Sequence, residues 1–334
     1  MKIIIPMAGI GKRMRPHTLT TPKPLIPIAG KPIVQRLVEE IVRVTNSKIE
    51  EIAYIIGDFG AEIEKNLIDI ANNLGAKGTI YYQKEALGTG HAIYCAKDSL
   101  KGPVIIAFAD TLFKADFDFD NNFDATIWVK KVENPSSFGV VKVDKKNIIT
   151  DFYEKPKEFV SDLAIIGIYC FKKGEQLKDE LEKLITNNHI VNGEYQITDA
   201  LENLKNKGLV FGYKEVNEWL DCGNKNATLH TNKKILEYHN HETLISETAK
   251  NINSIIIPPC YVGNNVVLEN SIIGPYVSIG YNSSIKNSII KNSIIQRNSN
   301  IENLNLTNSM IGNHVEFKGE TSEVSIGDFA TIHK

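Results

Sequence analysis

The sequence lacks the features that mark secreted, membrane-spanning or nucleic-acid-binding proteins. Only four cysteines occur among 334 residues, and their scattered positions show no metal-binding spacing, so we expect a reduced, cytoplasmic protein. No apolar run is long enough to cross a bilayer, and the N-terminus enters a strand without the regions of a signal peptide. The formal net charge of −2 and the absence of a Lys/Arg run argue against a nucleic-acid partner.

The chain is too long for one hydrophobic core, so two domains are expected. Through its first part, short apolar runs alternate with segments of helical periodicity, which predicts an α/β fold: a mostly parallel, Rossmann-like layered sheet with helices on both faces. The predicted strands cover 3–5, 52–56, 79–82 and 104–109, and the predicted helices cover 32–45 and 61–73. Ligands of such sheets collect at the carboxyl ends of the strands.

The first predicted strand leads into a glycine-bearing loop and a group of cations. Ala8-Gly9-Ile10-Gly11 is followed by Lys12 and Arg13, and Lys23 lies in a proline-rich segment. Glycine lets backbone N–H groups approach an anion, and nearby cations balance its charge. The order of these residues predicts a phosphate-binding loop.

Two common phosphate-binding motifs do not match this loop. The dinucleotide fingerprint needs a third glycine where Met14 stands, and the ATPase loop needs four residues between glycines where only Ile10 lies. An ordinary glycine-rich turn with solvated cations is the structural alternative.

A second candidate binding loop begins at the end of the third strand. A glutamine amide both donates and accepts, so Gln83 could bind the imide edge of uracil or thymine. Gly88-Thr89-Gly90 follows and opens a helix, and its glycines would let a base lie against the backbone. His91 is expected to be structural, capping the start of that helix.

Asp110 ends a strongly apolar strand. A lone carboxylate there can be a turn former or cap. It can also be a ligand of Mg²⁺, which takes one or two carboxylates together with substrate phosphates.

The motifs and their order resemble the sugar-phosphate nucleotidyltransferases, also called nucleotide-sugar pyrophosphorylases. The resemblance rests on seven segments: G-x-G-x-R at 9–13, K-P at 23–24, LGTGHA at 87–92, F-G-V at 138–140, E-K-P at 154–156, G-E-Y-Q-I-T-D at 193–199 and W-L-D-C-G at 219–223. It implies that a sugar 1-phosphate attacks the α-phosphate of a nucleoside triphosphate to give a nucleotide sugar and pyrophosphate.

The resemblance also implies a role for each candidate residue. The catalytic residues would be Arg13 and Lys23; the nucleotide would contact Ala8, Gly9, Gly11, Lys12, Gln83, Gly88 and Thr89; the sugar phosphate would contact Gly139, Glu154, Lys155 and Glu194; and Mg²⁺ would bind Asp110 and Asp221. Lys12 stands where the family usually has Ser or Thr, and it could bind the triphosphate or face solvent.

The chain mixes features of two subfamilies. W-L-D-C-G resembles the thymidylyl enzymes and favours dTTP with glucose 1-phosphate, whereas LGTGHA resembles the uridylyl enzymes and favours UTP with glucose or N-acetylglucosamine 1-phosphate. A guanylyl enzyme fits less well because Gln83 suits a pyrimidine. A non-catalytic sugar-nucleotide-binding subunit is a further alternative, although such relatives tend to lose the charged set that is present here.

The pattern of residues changes after the W-L-D-C-G segment and the predicted linker helix. Asn-Ser followed by two apolar residues recurs at 253, 270 and 287, and Ile273, Ile279 and Ile285 are spaced by six. This pattern predicts a short left-handed β-helix of hexapeptide repeats. We therefore predict a nucleotidyltransferase domain at 1–242, including a linker helix at about 226–242, and a β-helix domain at 250–334.

Two functions of the β-helix are open at this stage. A stacked coil leaves an exposed face, so it is expected to make the protein a homo-oligomer. Acyl transfer is the alternative, and it usually needs a histidine base, for which only His314 and His333 are available on the coils.

Overall fold

The computed structural model describes residues 1–116, 123–191 and 193–320. The chain divides into two compact units, and each is continuous except at one short segment. The first unit comprises Met1–Ile26 and Lys31–Ala227, and the second comprises Pro27–Gly30 and the chain from Thr228 onwards. The domain boundary predicted at 242 stays a prediction, and residues 321–334 of the predicted second domain lie outside the described residues.

Helices alternate with strands between residues 33 and 107, as expected for an α/β chain, and strands then follow one another up to residue 171. The strands are β1 (Lys2–Pro6), β2 (Pro27–Ile28), β3 (Lys31–Pro32), β4 (Glu51–Ile56), β5 (Lys77–Tyr82), β6 (Val104–Ala107), β7 (Thr111–Lys114), β8 (Ala125–Lys131), β9 (Gly139–Val143), β10 (Ile149–Glu154), β11 (Leu163–Phe171), β12 (Phe211–Glu215) and β13 (Glu218–Asp221). The helices are α1 (Ile33–Thr45), α2 (Ala61–Asn73), α3 (Thr89–Cys95), α4 (Gly174–Thr186), α5 (Ile197–Asn206) and α6 (Lys225–Tyr238).

The main sheet is built around β1. This strand pairs in parallel with β4 on one side and β6 on the other, and β4 pairs in parallel with β5. Ile3, Ile4 and Ile5 of β1 are fully buried, which is expected of a central strand covered on both faces. The carboxyl ends of these strands therefore meet at one edge of the sheet.

The other half of the sheet is organised by the long strand β11. It runs antiparallel to β6, β8 and β9, and β9 and β10 form an antiparallel pair. The predicted Rossmann-like sheet followed by parallel coils is confirmed, and the antiparallel half is a feature that apolar runs alone do not distinguish. The pairing of β11 shifts register between Ile165 and Ile168, and this bulge lies beside the end of β6.

The chain beyond α6 forms parallel strands in three stacked ladders, consistent with the predicted left-handed β-helix. The first ladder contains β14 (Lys250–Ile252), β17 (Val267–Glu269), β20 (Ser284–Lys286), β23 (Asn300–Glu302) and β26 (Glu316–Lys318). The second contains β15 (Ile255–Ile256), β18 (Ile272–Ile273), β21 (Ile289–Lys291) and β24 (Asn305–Thr307), and the third contains β16 (Cys260–Val262), β19 (Val277–Ile279), β22 (Ser293–Ile295) and β25 (Met310–Ile311).

The Asn-Ser repeats form corners of these coils. Asn253, Asn270 and Asn287 have φ of 49°, 48° and 46°, a left-handed conformation that asparagine tolerates better than most residues. Asn253 Nδ2 donates to Asn270 Oδ1 in the next coil at 2.8 Å, and Ser271 N–H donates to Ser254 Oγ at 2.9 Å. Each corner therefore bonds to the same corner one coil further on.

Isoleucines fill the interior of the coils and also mark one outer face. Ile273, Ile279 and Ile285 are fully buried. Ile255, Ile272 and Ile289 are aligned in register on one ladder and are exposed by 60%, 36% and 47%. The second unit thus carries an outward isoleucine row, formed by Ile255, Ile272 and Ile289.

A short N-terminal segment belongs to the second unit. Asn232 of α6 is fully buried, and its Oδ1 accepts from Ala29 N–H at 3.0 Å and from Ser278 Oγ at 2.7 Å. One buried amide oxygen therefore joins the segment Pro27–Gly30, the helix and a coil.

Among the residues that the structure describes, no helix is both long and apolar enough to span a membrane.

The asparagine corners can be tested at Asn282, which has φ of 56°. Its side chain accepts from Asn265 at 3.1 Å and donates to Asn298 at 3.3 Å. Asn282→Ala should lower the free energy of unfolding of the second unit, and by about 1 kcal/mol more than Asn282→Gly, because glycine keeps access to positive φ. Denaturant unfolding of the whole chain measures this, and an equal loss in both variants would assign the cost to the amide ladder alone.

Candidate active site

A cavity of about 430 Å³ opens at the carboxyl end of the parallel strands of the first unit. It brings together most of the candidate residues, which lie on five segments far apart in the chain. Its lining includes Ala8, Gly9, Gly11, Lys12, Arg13, Lys23, Gln83, Gly88, Thr89, Asp110 and Glu194, together with Pro6, Met7, Pro24, Ala86, Ala92, Phe108, Ala109 and Gly223.

The loop after β1 has a conformation that requires glycine at position 11. Gly11 has φ of 64°, and a Cβ there would lie 3.1 Å from Lys23 Cβ and 3.2 Å from Thr18 Cγ2. Its carbonyl accepts from Thr18 Oγ1 at 2.8 Å. The next residues form a short 3-10 turn whose Met14 is buried in the core. This burial fixes the turn, and Lys12 and Arg13 of the same turn line the cavity.

Lys23 and Asp110 form an ion pair at the floor of the cavity. Lys23 Nζ lies 2.9 Å from Asp110 Oδ2. The Lys23 side chain is 11% exposed and the Asp110 side chain is 41% exposed. A buried lysine is held by its partner, because an unpaired charge at that depth is costly. The pair therefore fixes a cation and an anion side by side where a phosphate and its counter-ion would meet.

Asp221 lies beside Asp110 because of an antiparallel strand pair. Strand β13 pairs with β7, which places Asp221 opposite Thr111, and Cys222 N–H donates to the Asp110 carbonyl at 3.1 Å. Asp221 Oδ1 accepts from Gly223 N–H at 2.8 Å. The two aspartates predicted as metal ligands are thus neighbours on adjoining strands, although they are 111 positions apart in the chain.

Burial and neighbouring charges act on the pKa of Asp221 in opposite directions. Burial is the main cause that raises the pKa of Asp221, and the negative charge of Asp110 raises it further. The hydrogen bond from Gly223 and the charges of Lys23 and Arg13 act in the opposite direction. The net effect is a raised pKa, chiefly because burial disfavours the charged form of Asp221.

The aspartate pair fits a magnesium ion that substrate would complete. Within residues 1–116, 123–191 and 193–320, no group of three or more His, Cys, Asp or Glu side chains could hold a metal. Mg²⁺ binds readily to one or two carboxylates when substrate phosphates and water supply the other ligands. The observation that favours a cation here is that β13 pairs with β7 and Cys222 N–H bonds to the Asp110 carbonyl, which brings the two carboxylate-bearing residues together.

The two loops expected to contact base and sugar are bonded to each other. A Cβ on Gly88, which has φ of 104°, would lie 2.7 Å from the Tyr195 carbonyl oxygen. Gly90 N–H donates to that carbonyl at 2.8 Å, and the Thr89 hydroxyl accepts from Ile197 N–H at 3.0 Å. Thr89 therefore holds the start of α5, and Glu194 is carried to the cavity wall.

Gly139, Glu154 and Lys155 form a separate cluster that does not line the cavity. Gly139 pairs with Glu154 across β9 and β10, and Lys155 Nζ lies 3.4 Å from Glu154 Oε1. Glu154 Oε2 lies 3.5 Å from Thr198 Oγ1 at the start of α5. The structure joins these three residues to one another and to the loop that carries Glu194.

Phe108 and Tyr169 link the cavity with this cluster, and the sequence analysis missed both. Phe108 lines the cavity, and its N–H donates to Gly167 O, in the bulge of β11, at 3.0 Å. Its ring packs edge-on against Tyr169 with centroids 6.2 Å apart. Burial chiefly raises the pKa of Tyr169, and Glu154 and Asp110 both raise it further, so Tyr169 lies near both carboxylates. The sequence signal that could have identified Phe108 as a site residue is its position two residues before Asp110.

Comparison with known proteins places this fold and site in one family. The Nucleotidyl transferase family model matches residues 2–238. The chain belongs to the nucleotidyl transferase family, and the match covers every loop that lines the cavity.

Several curated relatives are similar over most of the chain. The Bifunctional protein GlmU of Methanococcus maripaludis is 32% identical over 82% of this chain and 62% of its own length. The Low-salt glycan biosynthesis nucleotidyltransferase Agl11 of Haloferax volcanii is 34% identical over 71% of this chain and 66% of its own length. The Glucose-1-phosphate thymidylyltransferase of Streptomyces antibioticus is 29% identical over 85% of this chain and 84% of its own length. The chain thus spans less than two thirds of the length of the GlmU protein and of Agl11.

Solved structures show the same fold. A UDP-glucose pyrophosphorylase complexed with UDP-glucose superposes with a TM-score of 0.57 at 24% identity, covering 71% of this chain and 98% of that protein.

The raised pKa of Asp221 predicts that one substitution should increase stability and remove activity. Because the pKa of Asp221 is raised in the folded protein, its carboxylate lowers stability once the pH rises above the ordinary aspartate range. Asp221→Asn should therefore raise the thermal midpoint of the ligand-free protein at neutral pH while abolishing the activity proposed below. This gain in thermal midpoint should vanish near pH 3, where Asp221 is protonated in both the folded and the unfolded protein.

Thermal scans of both proteins from pH 3 to pH 8 measure this difference. A lower thermal midpoint for Asp221→Asn at neutral pH would contradict the claim that burying the Asp221 carboxylate lowers stability.

Proposed function

We propose that the protein transfers a nucleotidyl group from a pyrimidine nucleoside triphosphate to a sugar 1-phosphate, releasing pyrophosphate. The observation that carries the proposal is the convergence of Arg13, Lys12 and the Lys23–Asp110 pair on one cavity that Gln83 also lines. Asp221 does not line the cavity, but the β7–β13 pair places it beside Asp110. Phosphates need the cations, and a half-buried carboxylate pair suits Mg²⁺.

The proposed chemistry needs no nucleophilic side chain. The sugar phosphate is itself an anionic nucleophile, so the protein supplies position and charge. Arg13, Lys12 and the loop amides from Gly9 to Lys12 would hold the β- and γ-phosphates, and Lys23 would contact the α-phosphate. Mg²⁺, held by Asp110 and Asp221, would supply further charge neutralisation at the phosphates.

On the sugar side, Glu194 and Glu154 would accept from hydroxyl groups, Lys155 would balance the sugar's phosphate, and Gly139 would leave room beside Glu154. A Cβ on Gly139 would lie 3.3 Å from Glu154 Oε2, so a larger residue would displace the carboxylate.

We propose dTTP and glucose 1-phosphate as the preferred substrates. W-L-D-C-G at 219–223 and similarity to the Streptomyces antibioticus thymidylyltransferase over most of both chains support this choice. UTP with glucose or N-acetylglucosamine 1-phosphate is the second candidate, which LGTGHA favours.

Acyl transfer by the coils finds less support, although one relative is named bifunctional. His314 has φ of 56°, and its Nε2 lies 3.4 Å from Asn298 Nδ2. It thus takes the place that asparagine has one coil earlier. His333 lies outside the described residues.

Pyrophosphate release tests the proposed reaction. With Mg²⁺ and glucose 1-phosphate, release should occur with dTTP or UTP and require both substrates. Lys23→Ala and Arg13→Ala should each lower kcat by roughly 100- to 1,000-fold, because each removes a fixed charge at the phosphates. Lys65→Ala is the matched control, since the Lys65 side chain is exposed on α2, pairs with Asp69 and does not line the cavity.

Loss of release in Asp110→Asn would support the cation site. Exclusive use of GTP would contradict the base assignment. Absence of release with every nucleotide and sugar phosphate would favour the non-catalytic binding subunit.

The homo-oligomer stays a prediction, and the outward isoleucine row gives it a testable surface. Ile272→Asp and Ile289→Asp would place charges in any interface between copies, so each should lower the mass of the protein in solution. Light scattering after size exclusion measures the mass, with Lys286→Glu as a control on a neighbouring ladder. An unchanged mass in both Asp variants would rule out this row as the contact.

A further inference from the structure

The side-chain amide of Gln83 contacts two hydrogen-bond acceptors of the protein. Its backbone N–H donates to the Ile56 carbonyl at 2.9 Å, which extends the β4–β5 ladder by one residue. Its side-chain Nε2 lies 3.2 Å from the Gly88 carbonyl oxygen and 3.1 Å from His91 Nδ1. Gln83 and Gly88 line the cavity, whereas His91 does not.

These two contacts determine which way the Gln83 amide faces. A carbonyl oxygen only accepts, so the group that faces Gly88 must be the NH₂ end of the amide. The second N–H of the same NH₂ group then points to His91 Nδ1, which must accept. His91 is therefore the neutral tautomer with its proton on Nε2. Burial lowers the pKa of His91 against the opposing charge of Glu85, which agrees with a neutral ring.

The orientation leaves Gln83 Oε1 as the group offered to a ligand. Both amide protons are used inside the protein, and Oε1 makes no hydrogen bond with the residues that the structure describes. An acceptor at this position suits the N3–H of uracil or thymine. Cytosine has a lone pair at N3, so it would place acceptor against acceptor.

We propose that His91 is a positioning residue for base selection: by accepting from Gln83 Nε2 it holds the Gln83 carbonyl toward the cavity and makes the site select an imide-bearing pyrimidine over cytosine. This inference rests on the proposed function for the identity of the ligand. It differs from the structural helix-capping role expected for His91 from the sequence, and the structure shows no side-chain cap at the start of α3.

Paired substitutions of His91 separate positioning from packing. Asparagine places Oδ1 where histidine has Nδ1, so His91→Asn keeps the acceptor and loses most of the ring. Leucine keeps much of the volume and loses the acceptor. Calorimetric binding of UTP, dTTP and CTP to the whole chain in Mg²⁺ needs no turnover, so it can be measured even if the transferase reaction fails.

The wild-type protein should bind UTP or dTTP at least tenfold more tightly than CTP, a ratio expected for one well-placed hydrogen bond. His91→Leu should reduce this ratio by roughly tenfold, and His91→Asn should restore most of it. In pyrophosphate release, His91→Leu should raise the KM for the nucleotide and leave kcat within about twofold, because the base lies away from the reacting phosphorus.

Three outcomes would overturn the inference. They are an unchanged ratio in folded His91→Leu, a ratio in His91→Asn as low as in His91→Leu, and equal binding of CTP and UTP by the wild type. If His91→Leu does not fold, the ¹⁵N NMR spectrum of the wild-type histidines gives the tautomer of His91. A proton on His91 Nδ1 would mean that this nitrogen cannot accept from Gln83, and it would overturn the inference. Selective binding without pyrophosphate release would leave this inference standing and refute the proposed reaction.

Discussion

The ion pair between Lys23 and Asp110 connects two loops that are 87 positions apart, and the organisation of the cavity depends on it. Lys23 packs under Gly11, whose left-handed turn aims Lys12 and Arg13 inward. Asp110 sits at the end of β6, next to the strand pair that supplies Asp221. A buried lysine needs a nearby anion, so the loop that carries the cations and the strand end that carries the carboxylates hold each other in place.

The same arrangement places two acidic residues next to each other. Asp110 lines the cavity, Asp221 lies beside it through the β7–β13 pair, and burial raises the pKa of Asp221 despite the charges of Lys23 and Arg13. Shifted pKa values are common at functional sites. Phe108 lines the cavity and packs against the buried Tyr169, which lies near both Asp110 and Glu154, so these two aromatic side chains lie between the cavity and the Gly139–Glu154–Lys155 cluster.

Much of the fold could be predicted because its signals are local. The apolar run of β1, the glycine loop after it and the Asn-Ser corners at 253, 270 and 287 each follow from backbone geometry within a few residues. The convergence of the first loop with Gln83 and Asp110 follows from the rule that parallel strands end at one edge. The antiparallel role of β11, the tautomer of His91 and the hydrogen bond from Gly90 N–H to the Tyr195 carbonyl depend on contacts between distant segments, which spacing along the chain does not reveal.

The position of Pro27–Gly30 has a consequence for the order of assembly. These four residues belong to the second unit, where Asn232 accepts from Ala29 N–H, yet they leave the ribosome about two hundred residues before Asn232 does. Domains generally fold as units from the N-terminus during synthesis. Pro27–Gly30 must therefore wait without its final hydrogen-bonding partner until α6 has been made, so one stretch of the second unit is made early and completed late.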